Sequence, residues 1–354
     1  MSVIKVLIVD DSALIRQTFK TLLESDPDIQ VIGTASDPYI AVQKIQHEKP
    51  DVITLDIEMP RMDGLTFLRK IMLQAPMPVI VISNQTLNGA DVALKALEIG
   101  AVDVMTKPGL SNEIEIAESR IHLIDKVRSA FFSKRNPATR TDHSHCSPTE
   151  SHKVGAQTKA IQQGTFSGQS LIAIGASTGG TEAIKSFLEV LPPKMPSILI
   201  VQHMPEKFTS SFAKRLNDLC ALNVKEAEDH EPVLANTVYI APGNHHMAIR
   251  NHGGKPVIKI YQGELVNRHR PSVNVLFHSV AEVKGKHAIG IIMTGMGDDG
   301  ATGMLAMYQK GSFTVAQDEA SSVVFGMPHK AILAGGVSSV LPLREIPKEV
   351  CERI

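Results

Sequence analysis

The chain has 354 residues, 43% hydrophobic and 21% charged, a length and mix that suit two globular domains. Lys and Arg total 36 against 37 Asp and Glu, a net charge of −1, which excludes nucleic acid as the main partner because phosphate binding needs a basic excess. Three scattered cysteines, Cys146, Cys220 and Cys351, exclude a disulfide framework. The N-terminus, MSVIKVLIVDDS, lacks signal-peptide form, and no apolar run reaches the roughly 18 residues of a membrane helix. The expected compartment is cytoplasmic, with no direct membrane insertion.

In chain order, the first strand-like runs are Ile4–Val9, Val31–Ala35, Val52–Leu55, Val79–Ile82 and Val102–Met105. Helical spacing separates them, beginning with Ile15, Phe19, Leu22 and Leu23. Continuous Val/Ile/Leu strands between helices predict a five-stranded, doubly wound parallel α/β domain over residues 1–132. Residues 133–169 are polar and without period, which predicts a flexible linker. Its His143, His145 and His152 could bind metal, but a disordered tract cannot preorganise ligands, so they read as part of a solvated tether.

A second α/β domain is predicted over residues 170–354, Rossmann-like with some antiparallel strands. Leu171–Ile174 and Ile198–Val201 read as strands around a helix whose face carries Ile184, Phe187, Leu188 and Leu191. Val238–Ala241 and Val257–Tyr261 fall in a turn-rich region expected to hold an antiparallel piece. Ile289–Met293 is a further buried strand and Ala301–Tyr308 a helix. In such sheets ligands sit beyond the carboxyl ends of the strands.

In the first domain Asp10 and Asp11 close VLIVDD, and Asp56 closes VITLD. Parallel strands bring these ends together, and crowded carboxylates call for a hard cation such as Mg²⁺. Ser83 and Lys107, at the ends of the next two strands, suit a bound phosphoryl group. For Asp11 alone, a helix N-cap is an equal reading. The segments LIVDDS, LDIEMPRMDG, VIVIS and TKP resemble the receiver domain of two-component response regulators. That resemblance implies that Asp56 accepts phosphate from a histidine kinase, that Asp10, Asp11 and Asp56 hold Mg²⁺, and that Ser83 and Lys107 contact the phosphoryl group. The sequence departs from the pattern at Val104, where receivers often carry an aromatic switch residue.

In the second domain Gly175-Ala176-Ser177-Thr178-Gly179-Gly180 matches G-x-S-x-G at a strand–turn–helix junction. Small residues there permit a tight turn that exposes the hydroxyl, and the helix start offers N–H groups to an oxyanion. The bland alternative is a glycine-rich turn that binds an anion. His203 ends the next strand, and Asp298 and Asp299 follow a later one, so a nucleophile, a base and an orienting acid fall on one rim. Spacing does not choose between the two aspartates. The order Ser, His, Asp differs from that of α/β-hydrolases.

The segments GASTGG, VQHMP, YIAPGNHHM, HRPSVNVLF and TGMGDDGATGM resemble the catalytic domain of CheB-type methylesterases. The resemblance implies Ser177 as nucleophile, His203 as base and Asp299 as orienting acid, with Met296 and Thr178 beside the oxyanion. It also implies removal of methyl esters from glutamates, and deamidation of glutamines, on the cytoplasmic helices of chemoreceptors. A chemotaxis histidine kinase is the implied phosphodonor, and no cofactor is expected in this domain. His245 and His246 could suggest zinc beside His203 and Asp299. Neighbours on extended chain face opposite ways, so they read instead as lining the substrate groove. Arg268 and Arg270 are candidates for gripping acidic substrate segments, with solvated surface as the alternative. Two other classes compete: a non-enzymatic phospho-switch, and a receiver-linked transcription factor, for which no helix-turn-helix or basic stripe is found.

Overall fold

A computed structural model describes residues 3–59, 63–84, 86–109, 112–133 and 170–354. The first half alternates β1 (Ile4–Val9), α1 (Ala13–Glu24), β2 (Ile29–Ala35), α2 (Pro38–His47), β3 (Val52–Asp56), α3 (Gly64–Gln74), β4 (Val79–Ser83), α4 (Leu87–Ile99), β5 (Asp103–Thr106) and α5 (Glu113–Ser133). Its strands form one parallel sheet in the order β2-β1-β3-β4-β5, the flavodoxin-like winding. Every residue of β3 and β4 is buried, because helices cover both faces; hence their unbroken apolar runs. Ser12, Asp37, Asp63 and Thr86 cap α1 to α4 by accepting first-turn N–H groups. Ser12, not Asp11, caps α1, which leaves the Asp11 carboxylate exposed at the strand end.

Helix α5 runs one residue into the predicted linker, with the Ser133 hydroxyl donating to Ala130 O at 2.7 Å. The rest of that linker, with His143, His145 and His152, lies outside the described residues.

The second half comprises β6 (Leu171–Ala176), α6 (Gly180–Leu188), β7 (Ser197–Gln202), α7 (Phe208–Leu219), β8 (Asn223–Glu226), β9 (Thr237–Ile240), β10 (His246–His252) and β11 (Lys255–Tyr261). It continues with α8 (Val273–Lys284), β12 (Ala288–Ile292), α9 (Ala301–Gln309), β13 (Phe313–Gln317), α10 (Met327–Leu333), β14 (Ser339–Leu341) and α11 (Ile346–Cys351). Seven strands form a parallel sheet in the order β14-β13-β12-β6-β7-β9-β8, and β10 and β11 form a separate antiparallel pair. The turn-rich region does hold an antiparallel piece, β10 with β11, while the run at Val238–Ala241 forms β9, which pairs parallel with β7 and β8. Its side chains are buried throughout, which a central parallel strand requires and an exposed hairpin does not.

Helix α6 buries Ile184, Phe187 and Leu188 at i, i+3 and i+4 against this sheet. Each such side chain contributes about 1.5–3 kcal/mol of burial, enough to fix where α6 begins. The two halves meet along α4 and α7, where Leu94, Phe212 and Leu216 share one continuous core and Glu98 pairs with Arg215. This contact brings β5 and α5 over the carboxyl-end rim of the larger sheet.

Candidate active site

The sheet order reverses around β6, with β7 on one side and β12 on the other, so the crevice opens at the carboxyl end of β6. Ser177 follows β6 directly. Its amide donates to Thr294 O at 3.0 Å, and its carbonyl accepts from Gly180 N at 2.7 Å, which closes the turn into α6. Gly179 holds φ 79° there, a left-handed conformation that glycine adopts without steric cost. Gly175, two residues before the serine, faces Val273 of α8 so closely that an added Cβ would lie 2.9 Å from Val273 Cγ2.

His203 follows β7, and its amide donates to Ala176 O at 3.2 Å, tying its segment to that of Ser177. The Gln202 side-chain amide strengthens that tie by donating to Ser177 O at 2.9 Å. The imidazole Nε2 of His203 lies 2.9 Å from Asp299 Oδ2. A carboxylate only accepts, so Nε2 carries the proton and Nδ1 holds the lone pair. Nδ1 is buried and without a hydrogen-bond partner. Asp299 is 1% exposed and its charge is met by three further donors: Ser272 Oγ and Val273 N, both at 2.7 Å, and Asn274 N at 3.0 Å. The start of α8 thus cradles the acid, which suits a negative charge at a helix N-terminus. Asp298 makes only a 3.3 Å contact with Asn267 Nδ2.

Ser177, Thr178, His203 and Met296 line one cavity of about 890 Å³ between the two domains. The backbone N–H groups of Thr178 and Met296 make no hydrogen bond among the described residues, which leaves both for a developing oxyanion. Arg268 and Arg270 line the same cavity, but His245 and His246 do not. His246 is 1% exposed and both ring nitrogens are committed: Nε2 donates to Glu264 O at 2.9 Å, and Nδ1 accepts from Ser272 N at 3.2 Å. His245 turns back to Gly243 O at 3.1 Å. The expectation that this pair lines the groove is corrected, since neither lines the cavity, and the His246 ring has no nitrogen left for a metal.

The N-terminal half covers the cavity. Asp103 of β5 accepts from the Thr178 hydroxyl at 2.8 Å and from Lys126 Nζ at 2.6 Å. On α5, Asp125 pairs with Arg268 at 2.9 Å and Glu118 with Arg270 at 3.3 Å. His122 donates to Arg268 O at 3.2 Å and stacks on His269, which stacks on His203 with centroids 3.7 Å apart. Burial holds the His269 imidazole well below its usual range and brings His122 down to about 4, helped by the positive charge of Lys126. His269, Ser272, Gln202 and Asp103 are near-site residues that sequence reasoning missed. His269 alone had a signal, lying between Arg268 and Arg270.

At the receiver rim, Asp10, Asp11 and Asp56 offer oxygens all within 4.8 Å of one another. Lys107 Nζ sits 2.8 Å from Asp56 and 3.5 Å from Asp10. Burial pushes Asp56 up to about 6 despite that lysine, and pushes Asp10 up as well. Asp10 Oδ2 is a buried oxygen with no hydrogen-bond partner. Clustered hard oxygen donors, carboxylates whose charge burial disfavours and a buried oxygen with no hydrogen bond all fit Mg²⁺. The Ser83 hydroxyl instead donates to Gly89 O at 3.1 Å, on the first turn of α4. Val104 is buried in the core, 2% exposed.

A family model for the CheB methylesterase matches residues 172–350, and one for the response regulator receiver domain matches residues 6–117. The chain is 51% identical over 354 residues to protein-glutamate methylesterase/protein-glutamine glutaminase 2 of Rhizobium johnstonii, covering 98% of this chain and 97% of that one. It is 50% identical over 356 residues to the protein-glutamate methylesterase/protein-glutamine glutaminase of Salmonella typhimurium, covering 100% and 98% of the two chains. The solved catalytic domain of the Thermotoga maritima CheB methylesterase is similar at 38% identity and a TM-score of 0.52, covering 53% of this chain and 100% of that one. Sheet order, rim geometry and these likenesses agree: the chain belongs to the CheB methylesterase family, with a response regulator receiver domain ahead of its catalytic domain.

Proposed function

We propose that this protein is a phosphorylation-activated serine hydrolase that removes methyl esters from glutamate side chains, and amide nitrogen from glutamines, on chemoreceptor helices at the cytoplasmic side of the membrane. The observation that carries the reading is the buried Asp299–His203 pair, whose Nδ1 has no hydrogen-bond partner, beside a cavity lined by both His203 and Ser177.

In the reaction Ser177 Oγ attacks the ester carbonyl while His203 Nδ1 takes its proton. The carbonyl oxygen gains negative charge and is met by the N–H groups of Thr178 and Met296. His203 then gives its proton to the leaving methoxide, and methanol departs from a glutamyl ester of Ser177. Water, deprotonated by the same nitrogen, attacks that ester. Its collapse frees a glutamate carboxylate and restores the serine. A glutamine amide follows the same course with ammonia as the leaving group. Asp299 holds the His203 tautomer throughout and offsets the imidazolium charge.

Asp56 would accept the phosphoryl group from a histidine kinase. Mg²⁺, held by Asp10, Asp11 and Asp56, would supply positive charge against the phosphoryl oxygens. For the Ser83 hydroxyl to reach that group it must leave Gly89 O, which frees the first turn of α4, the helix that holds the two domains together. Loosening α4 from α7 lifts the receiver from the cavity, so the proposed activation is removal of a cover.

The test is methanol release from methylated receptor membranes, with a small phosphodonor and Mg²⁺, by the wild type and by Ser177→Ala. Release by the wild type that disappears in the variant is expected. Equal release by both would remove Ser177 from the mechanism.

A further inference from the structure

The receiver covers the cavity with one face of a helix. Glu118, His122 and Asp125 stand at i, i+4 and i+7 on α5, so they share a side. The two acids are about 10.5 Å apart along the axis at 1.5 Å per residue. Each meets an arginine of the catalytic domain, Glu118 on Arg270 and Asp125 on Arg268. Between them His122 points into the ring stack that ends on His203. The central side chain of this face is therefore aimed at the catalytic base, with a carboxylate on either side.

Arg270 is held independently of the receiver, whereas the side chain of Arg268 is held by Asp125 of the receiver. Arg270 Nε donates to Asn244 Oδ1 at 2.8 Å and Nη1 to Gly263 O at 2.6 Å, both within the catalytic domain. Nη2 and the second N–H of Nη1 are left for a carboxylate, on a fixed guanidinium of the kind suited to acid recognition. Asn267 and Arg268 hold φ 49° and 68°, successive left-handed residues that turn the chain and set Arg268 and Arg270 beside the ring of His269. A cover needs only apolar contact, which α4 and α7 already supply. Charges matched at a helical spacing serve recognition of a helix.

We infer that the α5 face occupies the seat of the substrate helix, and that Arg268 and Arg270 are specificity residues that read carboxylates three residues after and four residues before the target glutamate. The inference rests on the esterase reading above and deepens it: the preferred substrate is an acidic helix, and the receiver inhibits as its likeness.

The experiment uses the full chain activated by a small phosphodonor and Mg²⁺, and two helical peptides. Each carries one γ-methyl glutamate. One has Glu at −4 and +3, and the other has Ala at both. The wild type should prefer the acid-flanked peptide by about tenfold or more in kcat/KM, chiefly through KM. Arg268→Glu, at an exposed side chain, should abolish that preference and regain it with Lys at +3. Arg268→Gln should reduce the preference without reversing it. Without phosphodonor, Arg268→Glu should raise activity on the Ala-flanked peptide, because Asp125 loses its partner. The same arginine thus acts with opposite signs in the two states.

Equal kcat/KM for both peptides in the wild type, or a fall in both alike in Arg268→Glu, overturns the inference and leaves the esterase standing. Methanol from receptor membranes but from neither peptide also overturns it, since a lone helix would not then fill the seat. No methanol from membranes or peptides removes the esterase reading and the inference together.

Discussion

Replacing Asp299 by Asn alters the catalytic domain at the one carboxylate that meets four donors. Oδ1 accepts from Ser272 Oγ and Asn274 N, and Oδ2 accepts from Val273 N and His203 Nε2. An amide has one oxygen, and two fixed donors hold it at the Oδ1 position. Its NH₂ then lies where Oδ2 was, opposite the Val273 N–H and the histidine. Val273 N–H becomes a buried donor without an acceptor, at a cost of about 1–3 kcal/mol. That should lower the melting temperature by about 2–4 °C per kcal/mol for a domain of this size. His203 must turn its lone pair to the new NH₂, so the proton moves to Nδ1 and the unpartnered acceptor is lost. In trypsin-type triads the corresponding change costs about 10⁴ in kcat, and a similar loss is expected here. The assay is methanol release by folded protein, with melting followed in parallel. Asp298→Asn serves as the control and should stay within about twofold of wild type, as expected for a lone 3.3 Å contact. Activity of Asp299→Asn within tenfold of wild type would refute the orienting role, because the tautomer would then not matter.

Two further outcomes concern the cover. Removing residues 1–150 should raise basal methanol release, since Asp103, Glu118 and Asp125 no longer occupy the rim; an unchanged or lower rate from a folded fragment would count against inhibition by docking. Lowering the pH from 7.5 to 5.5 should loosen the cover. His122 titrates at about 4 beneath it and near 6.5 when exposed, so the uncovered state binds more protons below pH 6.5. The docking contribution is complete above that value and is lost as pH falls toward 4. Around the ring stand Lys126, His203 and Arg270, which oppose a further positive charge, and the Arg268 carbonyl, which favours it by accepting from the ring; Asp125, Glu118 and His269 line the same cavity. The ratio of basal to phosphodonor-activated release should rise severalfold in the wild type and stay flat in His122→Gln. Equal rises in both would assign the effect elsewhere.

Much of the fold could be read from the chain because its strands are buried on both faces. β1, β3, β4, β6, β7 and β12 announce themselves as apolar runs, and parallel strands deliver their carboxyl ends to one rim. Reactive groups at those ends, Asp56, Ser177 and His203, were therefore visible as candidates. What was not visible depends on contacts far apart in sequence. Asp298 and Asp299 are equivalent in a string of letters, and only the start of α8, with Ser272, Val273 and Asn274, distinguishes them. His246 resembled a groove residue until its two ring nitrogens met Glu264 O and Ser272 N. The part played by α5 was hidden for the same reason: Glu118, His122 and Asp125 look like an ordinary solvated helix face until the catalytic domain lies opposite.

The contact between Gly175 and Val273 has a consequence for how freely this protein can change. Val273 fills the space beside the glycine with its side chain and holds Asp299 with its backbone. A methyl group added at position 175 would push α8 outward, and the acid would travel with it, away from a histidine tethered to the neighbouring strand. One small insertion of volume would so disturb Ser177, His203 and Asp299 together. Variation in substrate range, whether by natural drift or by laboratory selection, is accordingly expected at the loop bearing Arg268 and Arg270. The glycine turn should stay fixed.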